Sequence, residues 1–179
     1  MKSAVEQLAQ YKSVHLNPKN IKTHFIGIPG IIWSLFVLLN LIPINIIAVN
    51  EFKVNVADVF TLGVLVYYFL LNVKLALGMV AFIIPVLYTS DMVAQTQYGL
   101  WIAIAVFVVA WIFQLIGHKY EKAKPAFIDD LNQLLIGPFF LMAEVYFMLG
   151  WAEELDKAIT PLAITKRREL EAARRAASA

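Results

Sequence analysis

The sequence contains three histidines, His15, His24 and His118, and no cysteine. Thiolate nucleophiles, disulfides, zinc-finger sets and cysteine-held iron–sulfur clusters are therefore excluded, and any metal chemistry falls to imidazole and carboxylate groups. Glu121 follows His118 by three residues, a spacing that sets both on one helical face. His15 and His24 are nine apart, which at about 100° per residue would point them to opposite sides of one straight helix. Pro18 lies between them and predicts a break, so that Tyr11–His15 and Asn20–His24 fold toward each other as separate elements. The candidate ligand set is His15, His24 and His118, with Glu121 or Glu144 as a further ligand or as an acceptor behind one. Nitrogen and carboxylate donors of this kind suit non-haem iron(II), manganese or zinc. One histidine at a membrane edge is more often solvated than ligating; all three gathered on one face shift the balance toward a shared site.

The elements that must position these residues are apolar. Of 179 residues, 60% are hydrophobic and only 16% charged, with a mean hydropathy of +0.70. An average soluble domain has about 45–50% and about 25%, so a soluble globule, a disordered chain and a charged nucleic-acid binder are all disfavoured. Phe25–Asn50 and Met92–Gly117 are charge-free runs of 26 residues each, longer than the roughly 20 a membrane-crossing helix needs. Val59–Val73 and Leu75–Ser90 read as a helical hairpin turning near Asn72 and Lys74. The fifth apolar stretch, Leu131–Trp151, carries Glu144, which must turn toward protein, metal or water, or pair with Lys122 or Lys124. The expected fold is an all-α polytopic membrane bundle of four transmembrane helices plus a re-entrant or interfacial fifth. Residues 1–152 form the membrane-embedded domain and 153–179 a polar, basic tail with a boundary at Pro161.

Net charge is only +2, but both ends are basic. The positive-inside bias places both termini in the cytoplasm, with Lys74 on that side and Asp91 on the other. His24 precedes the first span and His118 follows the fourth, so all three histidines meet at the cytoplasmic membrane face. Gly27, Pro29, Gly137 and Pro138 are expected to set turns, the four tryptophans to serve packing or the interface, and the basic tail to signal topology or contact anionic lipid.

Tyr11, His15, Asn20, His24, Gly27 and Pro29 in YKSVHLNPKNIKTHFIGIP form one ordered block. Gln114, Gly117, His118, Glu121, Pro125 and Ala126 in FQLIGHKYEKAKPA form a second, followed by Gly137-Pro138 and Glu144 in GPFFLMAE. Together, over roughly residues 8–150, these blocks resemble the fungal and bacterial family of membrane 2-hydroxy fatty acid dioxygenases. The resemblance implies iron(II)-dependent α-oxidation of a long-chain 2-hydroxy fatty acid by molecular oxygen, giving an acid one carbon shorter. It implies His15, His24 and His118 as iron ligands, with Glu121 as a further candidate. Tyr11, Asn17, Asn20 and Glu144 are candidates to orient ligands or oxygen, and Lys22 and Lys119, beside Lys19 and Lys122, to attract the substrate carboxylate at the bilayer surface. The arginine-rich tail departs from the family pattern, which favours a bacterial inner membrane over the endoplasmic reticulum. Competing readings are a small transporter, for which Asn40, Asn45, Thr61, Gln95 and Gln97 offer a thin polar path, and a non-enzymatic scaffold. A desaturase-like di-iron enzyme would need more than three histidines.

Overall fold

Apolar runs become helices wherever their backbone hydrogen bonds can close internally, and their ends fall where asparagine or serine can cap them. A computed structural model describes residues 2–49, 52–123, 126 and 130–177. The elements are α1 (Ala4–Lys12), α2 (Pro18–Asn40), β1 (Asn45–Val49), β2 (Phe52–Asn55), α3 (Val56–Leu71), α4 (Val73–Ala94), α5 (Gly99–Glu121), α6 (Gln133–Met148) and α7 (Glu153–Ala177). The described residues form two compact units, residues 24–115 and residues 1–23 with 116–179.

The 24–115 unit is an antiparallel helical bundle. Gly27 of α2 faces Gln114 and Ala110 of α5, and Gly30, one turn on, faces Ala110 and Val106, so the two helices run antiparallel. At the far end, the Asn40 amide donates to Ser90 Oγ at the end of α4 (3.2 Å), and the Asn55 amide donates to Asn40 Oδ1 (3.1 Å). The link between α3 and α4 is the single residue Asn72, whose side chain accepts from Leu75 N (3.0 Å) and so caps α4, as the expected hairpin requires. A small apolar cluster of Phe36, Ala57, Ile83 and Val86 lies within the unit. Leu62, Leu70, Ile84, Trp101 and Leu115 instead face outward, an arrangement suited to lipid rather than water. In the other unit α1 packs on α6 and α7, burying Leu8, Tyr11, Ile136, Phe139, Phe140 and Ile159.

Several expectations are corrected. By length and composition three helices, α2, α4 and α5, can each cross a membrane, while the remaining span expected from the apolar runs, α3, is a shorter apolar helix. At 16 residues, α3 and α6 extend only about 24 Å at 1.5 Å per residue, short of a hydrocarbon core of about 30 Å. The Asn55–Asp58 capping box and the Asn72 link bound α3 on both sides. The first charge-free run does not stay helical. The chain leaves α2 at Asn40 ahead of Pro43, and β1 pairs antiparallel with β2, strands that the apolar pattern concealed. Pro29 and Pro138 lie inside α2 and α6, and Gly27 and Gly137 are helical with them rather than at turns. Pro161 likewise lies within α7 and ends nothing, because Ile159 and Ala163 are buried on either side of it and packing holds the helix through the missing bond.

Candidate metal centre

Each histidine is placed by a different local device. After Lys12 the chain tightens, with Val14 N donating to Tyr11 O and His15 N to Lys12 O, and α2 then begins at Pro18. Asn17 caps it by accepting from Lys19 N (2.9 Å), and proline at the first helical position loses no hydrogen bond. The expected break at Pro18 is therefore present, and His15 sits in the short connection, 1% exposed. Its ring stacks on that of Tyr11 at 4.0 Å and 2° between planes. Its Nδ1 lies 2.7 Å from Tyr11 O. A carbonyl can only accept, so Nδ1 carries the proton and the lone pair is left on Nε2. Burial pushes the Tyr11 phenol up, and it stays protonated at neutral pH.

His24 lies one helical turn beyond Asn20 on the unbroken α2, also 1% exposed, so that helix sets its direction. His118 occupies the last turn of α5, its ring centroid 5.1 Å from that of His15 and edge-on to it. One nitrogen from each of the three histidines can be chosen so that all lie within 4.8 Å of one another. Imidazoles that converge from separate elements, one with its second nitrogen held by a backbone carbonyl, are the donor chemistry a divalent first-row metal requires. The residues present fit such an ion.

The carboxylates named from the sequence stand elsewhere. Glu121, 5% exposed, lies outside the histidine cluster, and both its oxygens receive N–H donors. Oε1 accepts from Leu16 N (3.2 Å) and Arg167 Nη1 (3.1 Å), and Oε2 from Asn17 N (2.8 Å) and Asn20 Nδ2 (3.1 Å). The carboxylate thus ties the loop after His15, the first turn of α2 and the end of α5 together. Asn17 adds a bond from its amide to Tyr120 O (3.1 Å). Glu144 pairs with Lys12 (3.1 Å), not with Lys122, and Lys12 also holds Asp156 (3.1 Å) and lies over the Phe147 ring. Lys124 and Pro125 lie outside the described residues. Lys22 and Lys119 are exposed one or two residues from a cluster histidine, and Lys19 lies over the Tyr120 ring. Two residues that matter here escaped the sequence reading. Lys12 showed only as one of several N-terminal lysines, and Arg167 was hidden in the basic tail, signalled there by nothing more than its i,i+4 relation to Glu171.

The sequence profile of the Mpo1-like family, described as 2-hydroxy-palmitic acid dioxygenase Mpo1-like, matches residues 1–149. The chain belongs to this family. It is also 31% identical over 173 residues to the 2-hydroxy-palmitic acid dioxygenase MPO1 of Saccharomyces cerevisiae, covering 92% of this chain and 91% of that protein. No solved structure matches. Membership and the three-histidine cluster together make this Mpo1-like protein a metal-dependent dioxygenase of the membrane.

Proposed function

We propose that this Mpo1-like enzyme holds iron(II) through His15, His24 and His118 and shortens long-chain 2-hydroxy fatty acids by one carbon with molecular oxygen. The observation that carries this reading is the convergence of three imidazoles within 4.8 Å in a member of the dioxygenase family. When bound, iron(II) supplies the electrons that let dioxygen react with a closed-shell hydroxy acid. The protein's own residues do the rest. The Tyr11 carbonyl holds the His15 proton on Nδ1 and keeps Nε2 available. The stacked Tyr11 ring, with Phe140 6.1 Å from the His15 ring, walls that side of the imidazole from water. Glu121, Asn17 and Asn20 anchor the segments that carry the histidines without spending a carboxylate on the metal. Exposed Lys22 and Lys119 attract the substrate carboxylate, and the apolar helix faces receive its acyl chain.

The membrane arrangement follows from the same reading. Gly27 of α2 beside Gln114 of α5 supports a shared membrane face for the start of one helix and the end of the other. That calls for an even number of crossings between them, with α3 adding the fourth to α2, α4 and α5 by local bilayer thinning. The short α6, its Glu144 neutralised by Lys12, serves as the interfacial fifth helix. The lysine bias then puts the metal face and both termini in the cytoplasm.

The test is iron content and oxygen uptake of detergent-purified protein prepared anaerobically, with 2-hydroxyhexadecanoate against hexadecanoate as substrate. About one iron per chain is expected, lost in folded His15→Ala, His24→Ala and His118→Ala, with oxygen uptake only on the hydroxy acid. Iron retained in all three variants would refute the ligand assignment.

A further inference from the structure

The C-terminal helix α7 (Glu153–Ala177) lies beyond the span matched by the family profile, which ends at residue 149, and its arginines read from sequence as a topology signal. One of them is not at the surface in that sense. The Arg167 side chain is 17% exposed and that of Glu121, its partner at 3.1 Å, 3%. The same guanidinium donates from Nη2 to the Glu121 backbone carbonyl (3.1 Å) and from Nη1 toward Ser13 O (3.5 Å). Nε is held by Glu171 one turn along α7 (2.7 Å). A second arginine, Arg174, reaches Lys122 O (3.3 Å), in the turn just past α5, where Lys122 takes a positive φ of 54°.

These contacts converge on the residues that flank the histidines. Ser13 is two residues before His15 and Leu16 one after it. Asn20 is one turn before His24, and Glu121 is three residues after His118. The Glu121 carboxylate joins all three segments, and Arg167 is the side-chain cation paired with it. A buried carboxylate without a counter-charge is costly, and a planar guanidinium supplies charge and directed donors at once, which an ammonium cannot. We infer that Arg167 is a positioning residue of the metal centre: by locking Glu121 and the Ser13 carbonyl it keeps the three histidines convergent, so that α7 acts as a clasp on the site. This rests on the assignment of His15, His24 and His118 as the metal ligands.

The experiment is cobalt(II) binding, followed by its visible d–d absorption, to the full-length chain in detergent, for wild type, Arg167→Ala, Arg167→Lys and two comparison variants. Arg168→Ala removes an exposed neighbouring charge. Asp156→Asn loosens α7 at its Lys12 contact without touching Glu121. Arg167→Ala should weaken cobalt binding at least about tenfold and alter the band at saturation, and Arg167→Lys should recover only part of the loss. Arg168→Ala and Asp156→Asn should bind as wild type does. Wild-type affinity and band in Arg167→Ala would overturn the clasp. So would an equal loss in Asp156→Asn at matched thermal stability, which would mark α7 as general scaffolding. If Arg167→Ala does not fold, Arg167→Lys decides by the same two readings. Absence of cobalt binding by wild type would instead overturn the histidine assignment, and so separates the two claims.

Discussion

Gly27→Ala tests how the close approach of α2 and α5 governs the metal centre. Gly27 is three residues after His24, and Gln114 is four before His118, so this contact lies one turn from two of the three imidazoles. A Cβ at Gly27 would fall 2.9 Å from the Ala110 carbonyl oxygen and 2.7 Å from Gln114 Nε2. The amide is the end of a flexible side chain and can swing away, but the carbonyl is backbone. Restoring an ordinary contact of about 3.5 Å to that oxygen requires the helices to part by about 0.6 Å. Overpacking of this size costs about 1–3 kcal/mol, which a folded chain survives, while the placement of metal-ligating side chains tolerates only about 0.5 Å. The expected phenotype is therefore a folded protein with impaired metal binding. Its unfolding midpoint should fall modestly in detergent, cobalt(II) or iron(II) affinity should drop about tenfold, and turnover at fixed metal should drop with it. Gln114→Ala in the same background should restore little, since the carbonyl clash remains. Gly63→Ala, which meets nothing within 4 Å, serves as control and should leave both quantities unchanged. Wild-type metal affinity and turnover in Gly27→Ala would refute the claim that this spacing positions the ligands.

Three further outcomes follow from the same unit-by-unit chemistry. Lys12→Met leaves the largely buried Glu144 without its cation and should cost about 2–3 kcal/mol, most of it recovered in Lys12→Met/Glu144→Gln; strictly additive effects in a double-mutant cycle of chaotrope unfolding would show that the pair is not coupled. Tyr11→Phe keeps the stacked ring and should retain metal, whereas Tyr11→Ala removes the wall beside His15 and should lose both about 3–5 kcal/mol and metal affinity; equal cobalt titrations for the two would contradict a role for the ring. Burial opposes ionisation of Asp156, but hydrogen bonds from Thr160 and Lys12 outweigh it and hold the carboxyl below its ordinary value. Because the folded form then binds protons more weakly than the unfolded form, this group stabilises above the unfolded value near 3.8 and loses that contribution as pH falls through the folded one. Melting temperatures measured down the acid limb should drop less steeply for Asp156→Asn than for wild type, and superimposable profiles would exclude the linkage.

Much of the site was legible because its determinants are local. With no cysteine and three histidines, donor chemistry was settled by composition, and Pro18 after Asn17 marked the break that frees His15 from α2. Asn72 marked the hairpin for the same reason, since a cap acts within three residues of itself. The convergence of all three histidines was foreshadowed by charge bias, which constrains where loops lie and needs no tertiary contact. What the residues alone left open were the uses of long-range partners. Glu121 and Glu144 looked alike as carboxylates near a metal. The fold gave one to three backbone and amide donors and Arg167, 46 residues away, and gave the other to Lys12, 132 residues away. Helix length was likewise a tertiary matter. Apolarity marked residues 25–50 throughout, but where α2 yields to paired strands and how short α3 becomes depend on caps and packing that a hydropathy run does not encode. Pro161 makes the same point from the other side, as a helix breaker overruled by buried neighbours. Residue types decide which chemistry is available; the distances between remote segments decide which residue performs it.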